Sequence, residues 1–235
     1  MADVLARLPR IVSEADLSTA ELLLFEDRRV SMRYCPFDYV NRAARVVIIG
    51  ITPGRQQMLL SCQEAQRALA DGQVGDDVLR RVKAVGAFAG SMRTNLITML
   101  DGIGLHRYLG VESTRALFDP ESDLLHSTSA ILYPAFLGGE NYGGSPPPEK
   151  HPLLGAFADQ VLTAELAMVP GAIIVPLGKT VAAILQRSVD LGSLQAVRVL
   201  FDFPHPSGGN GHRVRQYGER RSALASQVAG WGTSG

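Results

Sequence analysis

Four short segments carry side chains able to do chemistry on a flat, polar ligand. HPS at residues 205–207 opens a glycine-rich stretch that runs through Asn210 to His212 and Arg213. Pro204 and Pro206 restrict φ on both sides of the histidine and hold the imidazole in one direction, as a catalytic donor requires. Ser207 and the amides of Gly208 and Gly209 can approach a phosphate closely. GITPGR at 50–55 follows a β-branched run and makes a tight turn. Such a turn exposes the N–H and C=O groups of Gly50 and Ile51 to a flat ligand, with Thr52 at its edge and Arg55 beyond. Ser127, Thr128 and Ser129 put three hydroxyls in a row. Phe88, set between Gly86 and Gly90, offers a ring on which a base could stack, worth about 1–3 kcal/mol.

Three of the segments also have a plainer reading: a strand-exit turn, a structural histidine, a core phenylalanine. Arg213, Arg215, Arg220 and Arg221 stand against Glu219, which makes either a nucleic-acid-facing patch or a solvated basic face. The chain as a whole is balanced, with 23 basic and 23 acidic residues among 235. That excludes a uniformly basic, histone-like binder and leaves a local basic mouth open. Hydrophobic residues at 46% and charged residues at 20% fit a globular chain and argue against a collagenous or disordered one. Cys35 and Cys62 are too few for a disulfide scaffold, a four-cysteine zinc site or a cysteine-ligated iron–sulfur cluster. Neither a metal nor a cofactor is expected. No apolar run approaches the roughly 18 residues of a membrane span, so a soluble, cytoplasmic protein is expected, by default a monomer.

The elements that must position these segments alternate. Residues 45–51, 129–133, 172–177 and 197–203 are predicted strands, the first and third buried on both faces. Residues 58–69, 76–85, 92–103, 153–169, 179–187 and 215–228 are predicted helices, with apolar residues at 153, 157, 161, 164 and 168 marking one face. Residues 1–40 read as a helical lead-in, 137–152 as a long surface loop and 230–235 as a loose tail. The pattern predicts a single α/β domain: a three-layer αβα sandwich around a short, mainly parallel four-stranded sheet. Sites in such sheets form at the carboxyl ends of strands, where three of the four segments fall.

In series, these segments resemble the uracil-DNA glycosylase superfamily, and most closely its iron–sulfur, family-four type. The strand ending GEAPG in that family is matched by GITPG at 50–54. Its GxPFxGxxGxLL segment is matched by GAFAGSMRTNL at 86–96, and its TNVVKCRPP strand by TSAILYP at 128–134. Its final HPSxxxxHR motif is matched by His205, Pro206 and Ser207 with His212 and Arg213 in register. Asn210 matches the HPSxxN variant. The resemblance spans about residues 40–225.

It implies that DNA, single-stranded or damaged duplex, is the partner, and that the reaction is monofunctional hydrolysis of the N-glycosidic bond of a deaminated base. His205 would donate to the oxyanion of the leaving base, and Thr52 would position water. Gly50, Ile51, Phe88, Ser127, Thr128 and Ser129 would bind the base. Arg55, Ser207, Asn210, His212 and Arg213 would grip the backbone. The chain departs from the family in lacking the cluster cysteines, in Thr52 where many members carry Asp or Asn, in Ser129 near the base-reading Asn, and in Ile51 and Gly209. Hydroxyls in place of an amide relax base choice, which brings in hypoxanthine and xanthine beside uracil. Two other readings stand: the same fold binding nucleic acid or nucleotides with turnover weakened or lost, and a Rossmann-like enzyme of a small metabolite. The missing phosphate-binding glycine motif counts against the last.

Overall fold

A computed structural model of the chain describes residues 10–27, 29–86, 88 and 90–232. Its centre is a parallel sheet of three strands, β3 (Val46–Gly50), β4 (Leu125–Ser129) and β7 (Ile173–Pro176), in the order β4-β3-β7. Val46, Val47, Ile48 and Ile49 are all buried, so the middle strand is apolar on both faces, as a strand covered by helices on each side must be. Val46 and Ile48 pack with Leu96, Leu100, Leu224 and Val228 on one face. Val47 and Ile49 pack with Ala158, Leu162, Ile184 and Leu185 on the other. This is the predicted three-layer arrangement. The predicted fourth strand at 197–203 shrinks to a single parallel bridge from Val199 to Ile174.

The helices are α1 (Arg55–Ala70), α2 (Asp76–Gly86), α3 (Gly90–Gly102), α4 (Leu105–Leu109), α5 (Pro152–Ala156), α6 (Leu162–Ala167), α7 (Lys179–Asp190) and α8 (Arg213–Gly232). A π-helical turn at Phe157–Val161 joins α5 to α6. A second, antiparallel sheet lies beside the first. It is built from β1 (Leu23–Glu26), β2 (Val30–Arg33), β5 (Ala135–Leu137) and β6 (Glu140–Asn141).

Four expectations are corrected. The described part of the lead-in holds no α-helix: two 3-10 turns, Glu14–Ser18 and Ala20–Leu22, run into the β1/β2 pair. Its first nine residues lie outside the described ones. Second, the strand expected at 129–133 lies four residues earlier, at Leu125–Ser129, paired in register with β3. Third, the expected loop at 137–152 begins as a hairpin, β5 to β6. Gly138 and Gly139 both take positive φ, 59° and 86°, which a two-residue turn matched to strand twist demands. Finally, residues 230–232 are the last turn of α8 and not a tail, with Trp231 buried and its indole N–H donating to Gly171 O at 2.9 Å. Residues 233–235 are outside the described ones.

Candidate active site

The carboxyl ends of β3 and β4 open into a cleft of about 430 Å³, its open mouth included. Gly50, Thr52 and Pro53 line it from β3 and its exit. Ser127, Thr128 and Ser129 line it from β4, Gly86 from the end of α2, Phe88 from the turn before α3, and Phe37, Gln57, Lys83 and Leu132 complete the wall. Six of the residues expected around one pocket, Gly50, Thr52, Phe88, Ser127, Thr128 and Ser129, therefore share it. Ile51 is half-buried and packs with the apolar clusters beside the sheet instead.

β4 explains how the hydroxyls divide. Successive side chains of a strand face opposite ways, and burial alternates along this one. His126 and Thr128 turn into the core, where Thr128 Oγ1 donates to Glu165 Oε2 at 2.9 Å and His126 Nε2 meets Glu165 Oε1 at 2.7 Å. Ser127 and Ser129 take the other face. Thr128 thus contributes to the cleft wall while its hydroxyl is committed to Glu165.

Thr52 is similarly committed. Its Oγ1 donates to Tyr133 O at 2.9 Å and accepts from Ala135 N at 3.0 Å, which ties the strand exit to the neighbouring segment. A hydroxyl has one proton and two lone pairs, so one lone pair is left over.

Phe88 has φ +35°, a value that side chains with a Cβ rarely adopt and that costs about 1–3 kcal/mol. Arg93 Nε donates to its carbonyl at 2.6 Å and helps to fix it there. Ala87 and Ala89 of the same motif are not among the described residues.

His205 is not among the residues that line the cleft. It stands at the next strand end, against Gly178, just past β7. Gly178 has φ +100°, and a Cβ on it would lie 3.3 Å from His205 Cδ2. Glycine is required there for both reasons. Three side chains tie down the carbonyls of the HPS loop. Asn210 Nδ2 donates to His205 O at 3.1 Å, Asn95 Nδ2 to Pro206 O at 2.8 Å and Arg213 Nη1 to Ser207 O at 2.8 Å. Asn95 belongs to α3, the helix into which Phe88 leads, so loop and cleft share a support.

The loop also sets the imidazole's proton. Ser207 N donates to His205 Nδ1 at 3.2 Å. Nδ1 is therefore the acceptor, and in the neutral ring Nε2 carries the hydrogen. Burial lowers the pKa of His205 below its ordinary value, so the ring is neutral at pH 7.

The residues expected to hold a nucleic-acid backbone are spread around this edge. Ser207 and Asn210 are half-buried and His212 is exposed. Asn210 and Arg213 spend hydrogen bonds on the loop itself. Arg55 faces the second sheet: its guanidinium lies 4.7 Å from the Phe136 ring centre and donates to Gly139 O at 2.6 Å. Asn141 accepts from Arg55 N at 2.9 Å, and Tyr142 is buried with its hydroxyl donating to Pro146 O.

Sequence reasoning missed Lys83. It lies on α2, 8% exposed, and its Nζ donates to Ser127 O at 2.9 Å. Burial lowers its pKa, while the charges of Glu165, Asp38 and Cys35 act the other way. Burial would raise the Glu165 carboxyl; the hydrogen bond from His126 and the Lys83 charge outweigh it and hold the group below its usual range. The signal was present in the helix period. Val78, Leu79, Val82 and Gly86 form the buried stripe of α2, and Lys83 falls within it.

Among the described residues no group of three or more His, Cys, Asp or Glu side chains is arranged to hold a metal. Cys35 and Cys62 are buried, with their sulfurs 3.8 Å apart. No described helix is long and apolar enough to cross a membrane.

A family model of the uracil DNA glycosylase superfamily matches residues 37–226, the span that holds both sheet edges of the site. The chain belongs to that superfamily. It is also 38% identical over 224 residues to the uncharacterized protein YoxB of Bacillus subtilis (strain 168), an alignment that covers 94% of this chain and 88% of the relative. No solved structure matches.

Proposed function

We propose that this chain is a monofunctional DNA glycosylase that hydrolyses the N-glycosidic bond of a deaminated base, uracil or hypoxanthine or xanthine, flipped out of DNA. The observation that carries the reading is the cleft at the β3 and β4 ends, lined by Phe88, Ser127, Ser129 and the Gly50 turn, with a braced, neutral histidine at the adjoining strand end.

Flipping a nucleotide out of the stack costs a few kcal/mol, least for a mismatched or single-stranded base. Phe88 recovers part of that cost by stacking, and Ser127 and Ser129 hydrogen-bond the base edge. Ser207, His212, Arg213, Asn210 and the amides of Gly208 and Gly209 hold the backbone, with Arg55 farther out. As the bond breaks, positive charge grows on the sugar and negative charge on the departing base. Nε2–H of His205 donates to that developing oxyanion; one such donor is typically worth about 2.7–4 kcal/mol. Water is then held by neighbouring carbonyls and the free lone pair of Thr52. An oxocarbenium-like centre reacts with a weak nucleophile, so no side-chain base is needed, and a slow enzyme is expected.

The same commitment of the Thr52 hydroxyl favours a second reading, in which the fold binds nucleic acid with turnover weakened or lost. One assay separates the two. Single-stranded and duplex oligonucleotides carrying uracil, hypoxanthine or xanthine are incubated with the protein and cleaved at abasic sites with alkali. The glycosylase reading expects cutting of at least one, reduced about a hundredfold by His205→Ala. Retained DNA binding with no cutting of any substrate supports the second reading, and a fully active His205→Ala removes the role given to His205.

A further inference from the structure

Lys83 is a basic side chain that lines the cleft, and the neighbouring hollow beside Asn41 and Arg80, and that the mechanism above does not use. Its stem lies among the buried residues of α2, and its ammonium reaches the wall formed by Ser127. Of its three N–H groups one is accounted for by Ser127 O. No described carboxylate lies within ion-pairing distance of it; the negative groups that act on it, Glu165 foremost, do so from farther off. Glu165 is itself occupied by His126 and Thr128. A lysine so buried is costly to keep unless something uses it. Phe37, with its ring centre 5.9 Å from Nζ, and Phe88 make the same cleft partly apolar, which strengthens the field of a cation toward any charge that develops there.

We propose that Lys83 is the base-side electrophile of this cleft: its ammonium binds a carbonyl oxygen of the flipped base and carries part of the negative charge of the base as it departs. This rests on the glycosylase reading and gives its substrate class a chemical ground. The bond that breaks is the N-glycosidic bond, and its electron pair leaves with the base, shared between the base nitrogen and its conjugated carbonyls. Lys83 stays protonated throughout and forms no covalent bond. Bases that leave as anions and carry a carbonyl conjugated to the glycosidic nitrogen fit: uracil, xanthine and hypoxanthine. A base alkylated to a cation, such as 7-methylguanine, leaves neutral and meets a like charge, so the same cleft rejects it. His205 and Lys83 would then serve the departing base from two walls, one from the β7 edge and one from α2.

The test compares two leaving groups in one preparation. Release of uracil and of 5-fluorouracil, whose anion is the more stable, is measured from otherwise identical single-stranded oligonucleotides with the intact chain and with Lys83→Met. The expected result is a loss of about a hundredfold on uracil and a clearly smaller loss on 5-fluorouracil, because the better leaving group depends less on the cation. The ratio of the two losses does not depend on how much of the variant is folded, so a poorly folding variant still gives an answer. Equal losses on both bases, or none, overturn the proposal, as does efficient release of 7-methylguanine by the intact chain. Free uracil and free 5-fluorouracil are also titrated into both proteins by ligand-observed NMR. If the intact chain releases no base, the glycosylase reading fails and the leaving-group role with it, while weaker binding of both free bases to Lys83→Met keeps the contact of Lys83 with a base carbonyl. Equal binding to both proteins overturns it.

Discussion

Thr52 shows how a single side chain can stand in the right place for one role while its geometry assigns it another. It lines the cleft, yet its hydroxyl joins Tyr133 O to Ala135 N and so fixes the turn on which the cleft floor depends. Thr52→Val leaves a carbonyl and an N–H without their partner, each worth about 1–3 kcal/mol where water cannot replace it. Urea denaturation is expected to show that loss for Thr52→Val and almost none for Thr52→Ser. A base-releasing activity that follows the same order, with Ser close to the native residue, fits a positioning role; loss of activity in the Ser variant at full stability does not. His205 is the converse case. The sequence places it between two prolines, and the structure adds what spacing could not show: a Ser207 N–H on Nδ1 and a Gly178 that makes room for the ring. Lys83 escaped notice because a charged residue in an amphipathic helix reads as surface, until its place in the Leu79, Val82, Gly86 stripe is counted.

At the scale of elements, β3 and β7 were legible because a β-branched run buried on both faces has few alternatives. β4 was not, and the reason is its function in the fold. LHSTS at 125–129 is a central-sheet neighbour with almost no apolar content, since one face lines the cleft and the other carries the His126–Glu165–Thr128 group. The apolar residues that follow, Ala130 and Ile131, drew the predicted strand forward by four positions. The β1/β2 pair was hidden by Leu22, Leu23 and Leu24, which look helical; the apolar–polar alternation of Val30, Ser31, Met32 and Arg33 was the period-two signal to the contrary, and burial follows it. The polar group behind β4 also holds the strand in place. His126 takes an N–H from Asn41 on Nδ1 at 3.4 Å and gives its Nε2–H to Glu165. Burial, together with the Lys83 charge, lowers its pKa against the opposing pull of Glu165, so the ring is neutral beside an ionised carboxylate. Glu165→Leu strips the acceptor from two buried donors. The expected cost is about 1–3 kcal/mol for each donor, read as a lower urea midpoint with an unchanged slope. A midpoint equal to that of the intact chain contradicts the assignment.

Across the whole molecule, the cleft is an assembly of parts distant in sequence. The β3 turn, the β4 serines, Phe88 and Lys83 line it at the carboxyl end of a parallel sheet, where sites of this fold class form, and the HPS loop stands beside the next strand. The net charge is zero, so on the proposed function attraction of nucleic acid falls to local groups, and several arginines near the loop are partly engaged already. Arg220 donates to Asp202 O, Arg221 to Gly102 O, and Arg215 lies 3.9 Å from Glu219. What the assembly does to His205 is the most direct point of attack. Its Nδ1 accepts from Ser207, so a second proton there would set N–H against N–H and disturb the loop. On the proposed function the working form is the neutral one, present above a pKa that burial pushes below the ordinary 6.5. The decisive measurement is the rate of free base release from a uracil-containing single strand as a function of pH, under single-turnover conditions. The account predicts a rate that is level through neutrality and declines only on the acid side of 6.5, with the decline absent from the residual activity of His205→Ala. A rate that climbs steadily as pH falls from 8 to 6, as a protonated imidazolium acting as acid would give, contradicts it.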